Sequence, residues 1–139
     1  MTTVPITIET VVSAPTRAAW DAYTSPEAIT AWNQASPDWC CPSASVDLQP
    51  GGRHVARMEA RDGSMGFDFG GTYERVDAPI ALDLRLEDGR LVRTRFEPEG
   101  EGTRVTSTFD PEAEHPVEMQ RAGWQAILDS YAAYVNGRG

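Results

Sequence analysis

The sequence predicts an α+β fold in which a curved antiparallel sheet wraps around a long C-terminal helix. An alternating, β-branched run at Pro5–Val12 is followed by two short helical segments, each opened by a proline. Regular turn signals then divide residues 44–110 into six strand-like runs. Residues 116–136 carry helically spaced apolar side chains over a length of about 30 Å. The predicted order is therefore one strand, two short helices, a six-stranded meander and one long helix, giving about seven strands.

The two short helices lie within Ser13–Asn33. Pro15 and Pro26 suit the first turn of a helix, because φ is already helical there and no N–H donor is needed. Ser25 is the predicted N-cap of the second helix, and Glu27 adds a negative charge where the helix dipole favours one. Both helices are expected to be about two turns long.

The meander is marked by short connections rich in Gly, Pro and Asp, which make sequential strands antiparallel neighbours. The stretch Gln34–Ser45 is rich in Pro, Ser and Cys and is predicted to be a loop beside a pocket. Gly70 and Gly71 predict a bulge or a sharp curl within their strand. The predicted strands are Ala44–Leu48, Arg53–Arg61, Met65–Val76, Ile80–Glu87, Arg90–Pro98 and Thr103–Asp110.

The long helix is predicted over Pro116–Asn136. Gly123 is expected to allow close approach of its backbone to the sheet or to the short helices, and Asn136-Gly137 is the predicted stop. The apolar residues of this helix share one face: Val117, Trp124, Ile127, Leu128, Tyr131 and Val135.

Composition excludes several classes of function. The 139 residues predict a single domain, 1–139, and carry a net charge of −9, which disfavours nucleic-acid binding. All 12 basic residues are arginine, so lysine Schiff-base chemistry is excluded. No apolar run is long enough for a membrane span and no signal peptide is visible. The adjacent Cys40 and Cys41 are poorly placed for a disulfide, which predicts reduced thiols and a cytoplasmic location.

The sequence predicts no metal site and no cofactor. The two histidines, His54 and His115, fall in different elements, and the cysteines lack the spacing of zinc ligands. Neither glycine pair leads into a helix, so neither predicts a phosphate loop. No G-x-S-x-G motif is present.

Strand phase predicts which side chains face inward. In the strand that begins at Arg53, the even positions His54, Ala56 and Met58 face inward and the arginines face solvent. The arginines of the outer faces alternate with Asp and Glu and predict a solvated, cross-paired surface. The same reasoning turns inward Phe67, Phe69, Tyr73, Leu82, Leu84, Leu86, Val92, Thr94, Phe96, Val105, Ser107 and Phe109.

His54 is the sharpest polar candidate among the inward residues. It could bind a ligand or act as an acid or base, because the ordinary pKa of histidine lies near neutrality. The alternative is a structural histidine that is hydrogen-bonded to a hydroxyl group such as that of Tyr73 or Thr94. Tyr73 and Tyr131 could orient a ligand carbonyl or could be amphipathic core residues.

The order and spacing of several short motifs give the chain a resemblance to a known family. They are Ala14-Pro15 with Trp20-Asp21-Ala22, Pro26-Glu27, Trp32, Pro50-Gly51-Gly52-Arg53, Gly71 before Tyr73-Glu74-Arg75-Val76, Gly102-Thr103-Arg104-Val105-Thr106, and Gly123-Trp124 with Leu128 and Tyr134. Over about Pro5 to Val135 the chain resembles the family named after the activator of Hsp90 ATPase, within the START/Bet v 1-like superfamily. The resemblance implies a helix-grip fold with an apolar cavity between the sheet and the long helix.

The resemblance implies three functions from different classes. The first is binding of a small hydrophobic molecule that is lipid-like, aromatic or polyketide-like. The second is a cyclase or hydrolase that uses His54 as acid or base, and the third is a stress-related partner of an Hsp90-type chaperone. The candidate protein partners are a chaperone and, in a homodimer, a second copy of this chain. The residues expected to line the ligand site are Trp32, His54, Met58, Phe67, Phe69, Tyr73, Phe96, Trp124, Leu128 and Tyr131.

Overall fold

The computed structural model describes residues 4–138 and confirms the predicted order of elements. The strands are β1 (Ile6–Val12), β2 (Trp39–Val46), β3 (Arg53–Ala60), β4 (Gly66–Asp77), β5 (Ala81–Leu86), β6 (Leu91–Glu99) and β7 (Gly102–Phe109). The helices are α1 (Thr16–Thr24), α2 (Pro26–Trp32) and α3 (Val117–Arg138). The strands form one antiparallel sheet in the order β1-β7-β6-β5-β4-β3-β2, which curls around α3 as a helix-grip fold.

The helix starts follow the predicted capping chemistry with one difference. The Ser25 side chain accepts a hydrogen bond from the backbone N–H of Ala28 at 3.5 Å, and Pro26 occupies the first turn of α2. Pro15 instead occupies the N-cap position of α1, which has no side-chain cap. Its φ of −59° still presets the chain for the helix that follows.

The predicted loop Gln34–Ser45 is wrong in its second half, because β2 begins at Trp39 and pairs with β3. The strand escapes recognition because Pro42 and the serines have low β-propensity. They are tolerated because β2 is an edge strand whose register shifts between Cys40 and Ser43. Both features also protect this edge from pairing with another chain.

The irregular pairing of β4 falls later than predicted. The register shift lies between Tyr73 and Arg75 rather than at the glycine pair. Gly70 and Gly71 are needed for another reason. A Cβ atom on Gly71 would lie 2.1 Å from the carbonyl oxygen of Arg85 on β5, so the backbones approach more closely there than any side chain allows.

Helix α3 covers the open edge of β1. Arg121 donates a hydrogen bond to the carbonyl oxygen of Thr7, and Gln125 donates one to that of Glu9. The Asn136 side chain accepts one from the backbone N–H of Ser13. The helix therefore occupies polar groups that an edge strand would otherwise offer to another chain. Two predictions fail at its ends, because Val117 is exposed and the helix continues past Gly137 to Arg138.

The predicted close approach at Gly123 is also wrong, since no atom lies within 4 Å of a Cβ built there. Gly123→Ala should therefore raise the free energy of unfolding by about 0.5–1 kcal/mol, because alanine loses less conformational entropy in a helix. Urea unfolding measures the change. Gly71→Ala is the matched control and should be strongly destabilising, because its Cβ has no room. A destabilised Gly123→Ala would contradict the open space around this residue.

The outer face of the sheet carries ion pairs, as the alternating charges predict. Arg85 on β5 binds Glu74 on β4 at 2.7 Å, and Arg95 on β6 binds Asp83 on β5 at 2.7 Å. Arg104 on β7 bridges Glu9 on β1 and Glu99 on β6. These exposed or half-buried pairs lie on the outer face of the sheet, and apolar side chains occupy its concave face.

Candidate ligand-binding cavity

A cavity of about 270 Å³ lies between the concave face of the sheet and helices α2 and α3. Strands β3 to β7 and β1 supply one wall, and Trp124, Ile127 and Leu128 of α3 supply the other. Tyr23 of α1 and residues of α2 close one end. Voids larger than a water molecule are rare in protein cores. A cavity of this size is therefore a specific feature of the fold.

Eight of the ten side chains predicted for the ligand site lie around this cavity: Trp32, His54, Met58, Phe67, Phe69, Tyr73, Trp124 and Leu128. They come from α2, β3, β4 and α3, and the period of two along the strands places them on one face. Phe67 differs from the other seven because it is 47 % exposed. It lines the cavity and also contacts solvent, so it marks the mouth. The ring of Trp39 packs edge-on against it at 5.9 Å.

The other two predicted residues, Phe96 and Tyr131, are buried behind the cavity wall. The ring of Phe96 packs edge-on against Trp20 at 5.3 Å and against Tyr23 at 5.5 Å. The Tyr131 hydroxyl donates a hydrogen bond of 2.6 Å to the carbonyl oxygen of Ala19. Both side chains pack against the ring of Tyr23, which does line the cavity, and they hold α1 against β6 and α3.

Aromatic rings also pack where α3 contacts β4 and β7. Trp124 stacks on Phe109 at 4.3 Å between ring centroids, with an interplanar angle of 20°. Phe69 meets Trp124 edge-on at 5.7 Å. The Trp32 indole is fixed by a 2.9 Å hydrogen bond to the carbonyl oxygen of Ala22. The aromatic walls are thus held by their own packing and hydrogen bonds.

The polar side chains of the lining form two small networks. Nδ1 of His54 lies 3.1 Å from the Tyr73 hydroxyl. Across the cavity, the Thr94 hydroxyl lies 3.5 Å from that of Tyr23 and 3.4 Å from that of Ser107. The predicted pairing of His54 with a neighbouring hydroxyl is therefore confirmed, and its partner is Tyr73.

Burial changes the protonation of these groups. Loss of solvation lowers the pKa of His54 from 6.5 to about 4, so the imidazole is neutral at pH 7. Burial likewise raises the pKa of Tyr73 and of Tyr23, which keeps both phenols protonated. A histidine with so low a pKa is a weak base, and very little of it is protonated at neutral pH to act as an acid. This argues against the acid–base role considered for His54.

This burial predicts a pH dependence of stability. The unfolded chain binds a proton at His54 near pH 6.5 and the folded chain only near pH 4. The free energy of unfolding should therefore fall as the pH drops from 6.5 to 4, by up to about 3 kcal/mol from this one group. Urea unfolding at stepped pH, compared with His54→Phe, measures the difference. Equal pH slopes in the two proteins would show that His54 is not desolvated.

The sequence prediction of the site missed ten lining residues: Ile8, Tyr23, Ile29, Asn33, Leu82, Leu84, Val92, Thr94, Ser107 and Ile127. Strand phase predicts an inward direction for five of them, on β5, β6 and β7, but it does not predict which inward side chains line a cavity. Thr94 and Ser107 carried a further signal, since polar inward residues at paired positions of neighbouring strands indicate a hydrogen-bonded contact. Asn33 and Tyr23 depend on how the short helices pack, which local pattern does not encode.

Glu112, Glu114 and His115 form one cluster of potential metal-ligating groups among residues 4–138, and Glu114 and His115 are exposed. His115 Nδ1 hydrogen-bonds with the Glu112 carboxylate. The cluster lies on the segment before α3, which contributes no residue to the cavity lining.

No described helix is both long and apolar enough to cross a membrane.

A curled antiparallel sheet that grips a long helix around an apolar cavity is the architecture of the START/Bet v 1-like superfamily. The sequence model of the family described as Activator of Hsp90 ATPase homolog 1-like protein matches residues 13–136. The chain therefore belongs to this family, as its motifs predict.

Solved structures agree with this assignment. The AHSA1-like protein from Aeromonas hydrophila is 45% identical, with a TM-score of 0.92 over 98% of this chain and 94% of that one. Chr148 from Cytophaga hutchinsonii is 42% identical, with a TM-score of 0.82 over 96% of this chain and 92% of its own. NE0264 from Nitrosomonas europaea shares the fold at 19% identity, with a TM-score of 0.83 over 98% of this chain and 96% of its own. No curated protein matches the chain.

Proposed function

We propose that this protein binds a small hydrophobic molecule, lipid-like, aromatic or polyketide-like, in the cavity between the sheet and α3. The observation that carries the proposal is the cavity itself, about 270 Å³ in volume and lined mainly by aliphatic and aromatic side chains. Pockets for drug-sized ligands span roughly 300–1,000 Å³, so this cavity suits a compact ligand. Family membership supports the same proposal.

The lining of the cavity favours an apolar ligand as its occupant. The cavity opens to solvent at Phe67, and most of its lining is aliphatic or aromatic. A ligand that enters would remove this apolar surface from water, which stabilises a complex by about 25 cal/mol per Å².

Phenylnaphthylamine, a neutral apolar dye, tests the proposal, because three of the four tryptophans report where it binds. Trp32 and Trp124 line the cavity, whereas Trp20 is buried outside it. Titration followed by NMR should shift the indole N–H signals of Trp32 and Trp124 and leave that of Trp20 in place. Absence of any shift, or equal shifts at Trp20, would contradict binding in the cavity.

Stability provides a second readout of the same proposal. A ligand that binds only the folded state at a hundred times its dissociation constant should add about 2.7 kcal/mol to the free energy of unfolding. Urea unfolding with and without the dye should show this gain. Trp124→Ala should reduce the gain as well as the basal stability, because Trp124 contacts the cavity, Phe69 and Phe109.

The two alternative functions have less support. A cyclase or hydrolase that uses His54 would need a histidine that exchanges protons near neutral pH, and burial lowers the pKa of His54 to about 4. The chaperone-partner function rests on the name of the family. A cytoplasmic location remains our proposal on the ground that Cys40 and Cys41 are both free thiols.

A further inference from the structure

The cavity lining carries hydrogen-bonding groups but no charged side chain. None of its 18 residues is Asp, Glu, Lys or Arg, although the chain contains 12 arginines and 21 acidic residues. On the strands, charged side chains such as Arg85 and Glu74 pair on the opposite face of the sheet. An ion that enters the cavity would therefore lose its hydration without meeting a counter-charge, and this is costly.

The His54–Tyr73 pair adds a directional feature to this uncharged lining. A neutral imidazole carries one N–H and a phenol carries one O–H. The single hydrogen bond between Nδ1 and the hydroxyl, at 3.1 Å, uses one of these two protons. Whichever group donates, one proton remains for a further hydrogen bond, and no other residue among 4–138 accepts it.

We infer that the ligand of this cavity is a compact uncharged molecule that places one hydrogen-bond acceptor, such as a carbonyl oxygen, against the His54–Tyr73 pair. The inference rests on the proposed function and narrows its ligand class. It separates neutral apolar molecules with an acceptor from carboxylates such as free fatty acids, and from pure hydrocarbons. The lowered pKa of His54 supports it, because an imidazolium would instead attract an anion.

Three near-isosteric probes test the inference at pH 7: acetylnaphthalene, isopropenylnaphthalene and naphthoate, each substituted at the same ring position. They present a ketone, a hydrocarbon and a carboxylate in one shape. Displacement of bound phenylnaphthylamine gives their relative affinities. The ketone should bind about fivefold more tightly than the alkene, as expected for one neutral hydrogen bond. Naphthoate should bind at least about a hundredfold more weakly than the ketone, because its charge is buried without a partner.

Variants locate the donor. The double variant His54→Phe, Tyr73→Phe removes both protons and should abolish the preference for ketone over alkene. Tyr73→Phe alone should retain the preference, because the freed imidazole keeps its own N–H. Thr94→Val disrupts the other network, whose hydroxyls also line the cavity, and so tests the competing donor; the preference should persist in this variant if the His54–Tyr73 pair is the donor. An unchanged Trp20 indole signal checks that each variant is folded.

Other outcomes would contradict either the inferred ligand class or the donor. Naphthoate within tenfold of the ketone would overturn the inferred exclusion of anions. A ketone bound no more tightly than the alkene, or a preference lost in Thr94→Val and kept in the double variant, would overturn the donor assignment. Failure of all three probes to displace a dye that binds would overturn the inferred ligand class. A dye that does not bind at all would overturn the proposed function itself.

Discussion

Replacing Val92 by phenylalanine is expected to weaken binding of phenylnaphthylamine by at least about a hundredfold while the protein stays folded. Val92 lies on β6, is buried and lines the cavity. The added ring should extend into the space that we assign to the ligand. Because it fills existing volume, the free energy of unfolding should stay constant or rise. Fluorescence titration and urea unfolding measure the two effects.

Val105→Phe is the matched control, because it introduces the same change on the neighbouring strand β7. Val105 is fully buried, pairs with Phe96 and does not line the cavity. Its larger side chain should overpack the core and cost about 1–3 kcal/mol, while dye affinity changes little in the folded protein. If Val92→Phe destabilises the protein as much as Val105→Phe and leaves binding intact, the cavity is not the ligand site.

Tyr131→Ala is expected to give the largest loss of stability, about 3–5 kcal/mol. The side chain is fully buried, and its ring packs edge-on against Tyr23 and Trp32 at 5.3 Å in each case. Its hydroxyl also donates a hydrogen bond to the carbonyl oxygen of Ala19 on α1. Removal would therefore leave a void where α1, α2 and α3 meet. Denaturant unfolding measures the loss.

Tyr131→Phe separates a structural role from a ligand-contact role. It removes the hydrogen bond to Ala19 and keeps the ring, so it should cost about 1 kcal/mol. Dye affinity should be unchanged, because the hydroxyl points away from the cavity toward α1. A more than tenfold loss of affinity at unchanged stability would instead assign the Tyr131 hydroxyl to the ligand site.

The sequence predicts the wall of the cavity well because strand periodicity is a local property. His54 and Met58 on β3, and Phe69 and Tyr73 on β4, lie on one face as a period of two requires. The phase of a strand predicts which face of the sheet a side chain is on, but not whether a helix covers that side chain. Phe96 has the same phase as Thr94, yet Trp20 covers Phe96 and leaves Thr94 on the cavity, because α1 crosses only part of the sheet.

Other features depend on tertiary pairing that overrides local preference. Residues 39–43 have a loop-like composition and still form part of β2, because pairing with β3 compensates for Pro42 and the serines. Gly123 suggests a close contact that the packing of α3 does not use. The His54–Tyr73 contact joins positions two steps out of register, and the loss of solvation at His54 follows from tertiary burial rather than from any motif.

In the proposed complex, the hydrophobic ligand lies between the sheet and the C-terminal helix. Intermolecular NOEs between phenylnaphthylamine and the methyl groups of the protein test it most directly. We expect NOEs to Leu84 of β5 and to Ile127 of α3 in the same complex, since both line the cavity. NOEs confined to Met65 and Met119, which are 62 % and 60 % exposed, would contradict it by placing the molecule on the surface.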